Sequence, residues 1–262
     1  MTPRKYYVKN LFSKFGYLGT WLPNAPMRLG DFGTISDSGF ENLGNINDLG
    51  LKIEFEASKS TLDFSFSCGV EIGASNKTET NSVPINTEIS FKGAGGFIFK
   101  ASECRIETIS NRIELAKSIK RLYFNNEWDK EWCVVHEVVC AKSLTVLISN
   151  TKNSSASICT PPSKNTLLDC VEIINSDSEL SYKSGNITEV KSKTETTPLI
   201  LTSKIKENFL KKLIGSQDGL KFGGKGFTPQ DTSLTQKAPE EPEIWEKQSI
   251  LGWNHDEKLQ ER

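Results

Sequence analysis

Leu62-Asp63-Phe64-Ser65-Phe66-Ser67-Cys68-Gly69-Val70-Glu71-Ile72 alternates apolar residues with polar or small ones at every step. A second run answers it: Ile85, Thr87, Ile89, Phe91, Gly93, Gly95, Phe97, Phe99 and Ala101 take every other position. A period of two over this length specifies strands with one apolar and one wet face. Each run is at least as long as the roughly 9–11 residues with which a strand crosses a bilayer. A water-soluble sheet uses the same alternation to face a core. The connection Ser75-Asn76-Lys77-Thr78-Glu79-Thr80-Asn81 is polar and reads as a hairpin tip.

Outward from these runs the chain stays rich in β-structure. Trp132 to Cys140 is apolar on both faces and dense in Val, the pattern of a doubly covered strand, and Leu144 to Ile148 is similar. Strands are expected near 154–160, 167–174, 179–183, 187–193 and 198–206. A second hairpin pair is expected from 143–193, with poorer alternation and unassigned faces. Leu51, Ile53, Phe55 and Ala57 alternate upstream, and 17–50 is turn-rich.

Two helices flank the strands. In residues 4–16, Val8, Leu11, Phe12 and Phe15 form an i, i+3, i+4, i+7 stripe edged by Arg4, Lys5, Lys9 and Lys14, with Gly16 as a stop. Such a helix either docks on a core with its basic face in water, or meets anionic lipid at about 1 kcal/mol per basic residue. Asn111 with Glu114 forms a capping-box pattern ahead of a helix to about Phe124, with Ile113, Ala116, Ile119 and Leu122 on one side. The expected class is α+β, a twisted, mostly antiparallel sheet with flanking helices.

Charge is balanced at 32 basic and 33 acidic residues in 262, so no global field points to nucleic acid. No apolar stretch approaches the roughly 20 residues of a spanning helix, which leaves strand-built membrane structures open. Met1 to Lys5 leads into no apolar segment of a signal peptide, so the expected compartment is the cytoplasm, with free thiols. The sequons at Asn76, Asn153 and Asn186 carry no weight there. Composition changes after Gly215. Residues 216–262 hold 6 basic and 9 acidic side chains, a net −3, against +2 for 1–215. This tail is read as a linker followed by an apolar segment, Ile244, Trp245, Ile250, Leu251 and Trp253, that docks back on the body.

Chemical motifs fail on inspection. Gly219 to Lys225 fits GxxxxGK, but Gly226 replaces the hydroxyl that would bind magnesium, and no long helix follows. Gly93-Ala94-Gly95-Gly96 lies within a strand pattern and suggests a bend or bulge. His136 and Glu137 point to opposite faces of one strand. His136 is read as a satisfied core histidine, and Cys140 has no local histidine partner. The six cysteines form no CxxC and there are two histidines, so neither a metal site nor a cofactor is expected, and an enzyme is not the reading.

Trp132-Cys133-Val134-Val135-His136-Glu137-Val138-Val139-Cys140 followed by Ser143-Leu144-Thr145-Val146-Leu147-Ile148-Ser149 resembles a strand pair of the gasdermin pore-forming domain, in which a "VVTEV" strand runs into a "TV" strand. Thr197-Pro198-Leu199-Ile200-Leu201-Thr202-Ser203-Lys204-Ile205 resembles that family's closing strand, and Arg28-Leu29-Gly30-Asp31 its "LGD" segment after a basic first helix. The likeness covers residues 1 to about 215, as a pore-forming domain, with 216–262 as a short autoinhibitory tail like that of bacterial and fungal members. Many bacterial members carry a lipidated cysteine near the N-terminus; the first cysteine here is Cys68, so that modification is not expected.

The resemblance implies an inactive cytoplasmic monomer that oligomerises in the inner or plasma membrane as a large β-barrel pore and permeabilises it, with cell death, in antiviral defence, as the outcome. Its implied partners are membrane lipids, an activating protease and further copies of itself. Lipid contact would fall to Arg4, Lys5, Lys9, Lys14, Lys204, Lys206, Lys211 and Lys212. Phe64, Phe66, Ile89, Phe91, Phe97 and Phe99 would face lipid, while Asp63, Glu71 and Lys92 would face water. Cutting near Asp218, Lys221 or Lys225 would release the tail. The rival is a soluble β-rich binding or structural protein whose apolar strand faces form an ordinary core. Asp63→Leu is expected to hinder a water-lined pore and to be near neutral in the rival. Dye release from anionic vesicles, compared between variant and parent, distinguishes the two.

Overall fold

The computed structural model describes residues 2–74, 85–160, 179–205 and 245–247. In chain order its elements are α1 (Pro3–Phe15), β1 (Leu18–Gly19), β2 (Asp31–Ser36), β3 (Gly39–Asn45), a 3-10 turn (Ile46–Leu49), β4 (Phe55–Ala57), β5 (Leu62–Cys68), β6 (Val70–Ala74), β7 (Ile85–Phe91), β8 (Phe97–Ile109), α2 (Arg112–Phe124), β9 (Cys133–Ala141), β10 (Ser143–Ser149), β11 (Ser155–Thr160), β12 (Glu179–Ser184), β13 (Ile187–Ser192), β14 (Thr196–Ile205) and β15 (Trp245–Lys247). The protein is α+β and β-rich, with antiparallel strand pairs and two helices. The expected strand at 167–174 lies outside the described residues, as do Lys206, Lys211, Lys212, Asp218, Lys221, Lys225, Ile244, Ile250, Leu251 and Trp253.

The long strand β8 is the spine. Along one edge it pairs with β5 and β4, and along the other with β10 and β9. The register from Phe97↔Ile148 to Thr108↔Glu137 makes β9 and β10 one nearly continuous partner, interrupted at Lys142. β13 and β14 continue the order beyond β10 and β9. This central placement explains why β9 and β10 are buried almost throughout. β1 and β15 both add to the outer edge of β14.

The same strands run on through a bend into a second, four-stranded sheet of order β12-β11-β7-β6. Two hairpins therefore stand side by side, β5–β6 returning as β7–β8, and β10–β11 returning as β12–β13. The bend passes through Gly69 at φ +66, Gly95 at φ +93 and Gly185 at φ +75, backbone that L side chains rarely adopt. Its polar backbone is satisfied locally. Lys92 N–H donates to Gly69 O at 3.0 Å, Gly95 N–H to Ser149 O at 2.7 Å and Asn150 N–H to Asn186 O at 2.8 Å. The fully buried hydroxyls of Ser149 and Ser154 lie 3.0 Å apart. The run Ile85–Ala101, which reads as one strand in the sequence, is thus two strands separated by a glycine-rich link, as the Gly93–Gly96 stretch suggests.

α1 starts on Thr2, whose hydroxyl accepts from Lys5 N–H at 3.3 Å, with Pro3 in the first turn where its missing N–H costs nothing. Gly16 ends it at φ +75, donating to Phe12 O at 2.8 Å. Arg28–Asp31 has an evident structural reason. Gly30 holds φ +80 while donating to Val135 O at 2.9 Å, and the buried Asp31 carboxylate accepts from Arg28 N–H and Asn45 Nδ2, each at 2.8 Å. The return from α2 is fixed by Trp128, which packs 5.3 Å from both the Phe32 and Trp132 rings.

Three local expectations are corrected. Asn111 precedes α2 but makes no side-chain cap. Its amide instead accepts from Glu54 N–H at 3.0 Å and donates to Lys52 O at 3.1 Å, a clamp on the unpaired approach to β4. α2 buries Leu115, Ala116 and Ile119, leaving Ile113 45% exposed, because the helix is rotated toward its 115–119 side. Phe55 is 56% exposed, since β4 pairs at an edge of β8 after the chain has left the core at Leu51 and Ile53.

A Cβ at position 185 would stand 2.3 Å from Ser154 Oγ and 2.8 Å from Ser154 Cα, on backbone already at positive φ. Gly185→Ala is expected to destabilise the fold by roughly 2–4 kcal/mol, read as a lowered urea midpoint. Gly93→Ala, with open space around it, should leave the midpoint nearly unchanged.

Candidate functional site

Cross-strand neighbours in an antiparallel ladder share a face, so register sorts the residues of the four-stranded sheet into rows. Ile72, Ile89, Ala156 and Tyr182 form one row, and Ala74, Thr87, Ile158 and Leu180 another two steps on. Between and beside them run Gly73, Glu88, Ser157 and Ser181, and Glu71, Ser90, Ser155 and Ser184. Apolar and polar rows alternate across all four strands. The second hairpin, whose faces the sequence leaves unassigned, takes its alternation from β7, to which β11 is paired.

Part of the apolar side of this sheet is covered where its side chains are described. Ile89 and Phe91 are buried against Ile98 of β8 and Leu147 of β10, with Val70 and Ile187 at the margin. Ile98 and Leu147 belong to the face of the large sheet opposite Phe97 and Phe99, so the links at the bend turn the ribbon over. On the polar side, Lys92 pairs with Glu71 at 2.9 Å. A shallow depression of about 450 Å³ lies there among Glu88, Ser90, Asn153 and Ser155.

The other face of the large sheet is covered by α1. Tyr7 packs edge-on against Phe97 with ring centres 5.1 Å apart, Tyr6 against Phe97 at 6.4 Å, and Phe15 against Phe64 at 5.3 Å, Phe66 at 6.1 Å and Phe99 at 6.2 Å. The six residues expected on one lipid face are therefore split in the folded chain. Phe64, Phe66, Phe97 and Phe99 lie under α1, and Ile89 and Phe91 lie between the sheets. The basic residues of α1 are partly engaged. Arg4 Nε donates to Ser38 O at 2.6 Å, Lys5 pairs with Asp37, Lys9 is half-buried, and Lys14 stands 5.8 Å from the Phe66 ring centre. Lys204 lies in β14, opposite Glu246 of β15. Asp63 accepts from Glu103 N–H at 2.8 Å, where Glu103 bulges at φ +51, so removing its carboxylate also touches the fold. Of the expected tail segment, the backbone of Trp245 is placed, in β15 against Ile205.

The residues weighed for chemistry have structural partners. His136 Nδ1 and Ser203 Oγ are 3.0 Å apart and buried, while Glu137, on the opposite face, accepts from Tyr17 and from Thr108 at 3.0 Å. Burial raises the thiols of Cys104 and Cys133 to about 12 and of Cys140 to about 11, so they stay protonated and unreactive at neutral pH. The Cys68 contact, and then burial, raises Tyr6 to about 12. Among the described residues no group of three or more His, Cys, Asp or Glu could hold a metal ion. No helix among them is long and apolar enough to cross a membrane, which says nothing of strands. No protein-family model and no curated protein matches the chain.

Sequence reasoning missed Tyr7, fully buried at the centre of the α1 contact. Its four-residue spacing from Leu11 was the available signal. The Tyr7 hydroxyl has no hydrogen-bond partner among the described residues, and desolvation raises its pKa. An unsatisfied buried hydroxyl costs about 1–3 kcal/mol. Tyr7→Phe is accordingly expected to raise the thermal midpoint by several degrees, and Tyr7→Ala to lower it by opening a cavity beside Phe97 and Phe99.

Proposed function

We propose that this chain is a gasdermin-like pore-forming protein, inactive as the folded monomer and active as a ring of copies whose paired hairpins cross a lipid bilayer. The observation that carries the reading is the alternation of apolar and polar rows across β6, β7, β11 and β12. A closed barrel needs one lipid-facing and one water-facing side on every strand. Four strands per copy, in alternating direction, let β6 of one molecule add antiparallel to β12 of the next. Neither strand has a second partner among the described residues. Head-to-tail pairing of this kind closes into rings.

In the monomer the lipid-seeking surface is internal, under α1 and between the two sheets. Opening requires α1 to leave Phe64, Phe66, Phe97 and Phe99, which frees Arg4, Lys5, Lys9 and Lys14 for anionic headgroups. The tail restrains this change, and β15 against β14 is the described part of that restraint. Proteolysis between 215 and 240 is the proposed trigger, with Asp218, Lys221 and Lys225 as candidate sites. The inactive chain would be cytoplasmic and the active one in the inner or plasma membrane, where permeabilisation would kill the cell, in antiviral defence.

The full chain and residues 1–225 are compared for dye release from vesicles rich in anionic lipid. Rapid release by the shortened chain, with little from the full chain, is the expected result. Absence of release from both removes the proposal and leaves the soluble β-rich binding or structural protein.

A further inference from the structure

The seam between the inner strands has a property that the outer seams lack. Phe91 N–H donates to Ser154 O at 2.9 Å on one side of the bend, and Ser149 N–H donates to Gly96 O at 2.8 Å on the other. Between these closed rungs each strand sets aside the same length, residues 92–95 on one and 150–153 on the other. The register confirms the balance. Ser90 faces Ser155 and Phe97 faces Ile148, a seven-residue advance on both strands. The outer seams are unequal. From Cys68↔Phe97 to Val70↔Phe91, the first hairpin's outer strand advances two residues while the inner advances six. From Ser149↔Ile187 to Ala156↔Tyr182, the second hairpin's inner strand advances seven and the outer five.

We infer that 92–95 and 150–153 are stored strand, which zips in the existing register when the bend opens. Lys92 would then stand opposite Asn153, Gly93 opposite Lys152, Ala94 opposite Thr151 and Gly95 opposite Asn150. This inference rests on the pore reading and adds to it a fixed central seam. The β7–β8 to β10–β11 pairing does not change, while β6 slips by four residues and β12 by two against it. The slip is even for β6 and for β12 from Tyr182 onward, so those rows keep their faces; Ser184, on the near side of the bulge between Ser155 and Ala156, slips by three and joins the row of Lys152.

The zipped rows also set depth. Lys152 and Asn150 fall on the same side as Phe91 and Phe97. A charge is tolerated near the headgroups and not at the bilayer midplane. Lys152 would therefore lie near the headgroups and not at mid-bilayer.

The test uses the full-length chain with a site-specific protease sequence in place of 219–226, cut in the presence of anionic vesicles. A Gly-Ser insertion follows Gly93, or Lys152, or both. Either insertion alone unbalances the central seam by two residues, and the pair restores it. Each single variant should release dye about tenfold or more slowly than the parent, and the double variant should return to about its rate. Equal release by all, or a double variant no faster than the singles, overturns the inference while leaving the pore reading intact. A parent that never releases dye overturns both. Should an insertion prevent folding, hydrogen exchange on the parent decides. Amides of 92–95 and 150–153 should become strongly protected on vesicles after cutting, and unchanged exchange there sinks the inference.

Discussion

A four-stranded ribbon with one apolar face cannot leave that face in water. The architecture is one solution to this constraint. The ribbon bends at its glycines, turns over, and lays Ile89 and Phe91 against Ile98 and Leu147, while α1 covers Phe64, Phe66, Phe97 and Phe99 on the opposite face of the large sheet. Burial at about 25 cal/mol per Å² of apolar surface drives both contacts. Neither contact involves pairing between strands, so each could be undone with the central β7–β8 to β10–β11 seam intact.

That separation matters for the proposed change of state. The central ladders, the expensive part to rebuild, join β14, β9, β8 and β10 on one side of the bend and β7 and β11 on the other, in one common register. The covers are a helix and a fold-over. The helix cover is tight in shape, with six aromatic contacts below 6.5 Å from Tyr6, Tyr7 and Phe15 onto the strands, yet it buries an unsatisfied tyrosine hydroxyl. The bend is tight as well, since Ser154 leaves no room for a side chain at 185. In the proposed pore reading, the first lowers the cost of lifting α1 and the second marks where the sheet bends.

Much was legible in the sequence where periodicity speaks. The alternating runs gave β5 to β8, the Val-rich segment gave the doubly covered β9, and the 4–16 stripe gave α1 nearly to the residue. Errors arose where a side chain had two possible partners. Asn111 has the spacing of a cap, but the carbonyl and amide of residues 52 and 54 hold it, and they are more than fifty residues away in sequence. Ile113 fits a helical stripe, yet the packing of α2 favours Leu115.

The sequence alone determined which residues alternate, hence that strands with a wet and a dry face would form, because period two is a property of the extended backbone itself. It could not determine what would cover the dry face, nor how the second hairpin is oriented, because 143–193 alternates poorly on its own. Those were decided in three dimensions. Pairing of β11 with β7 imposes the first hairpin's alternation on the second, and the equal links at the bend keep that register on both sides. The physical reason is that hydrogen-bonded neighbours must share a face, whatever their own sequence would prefer.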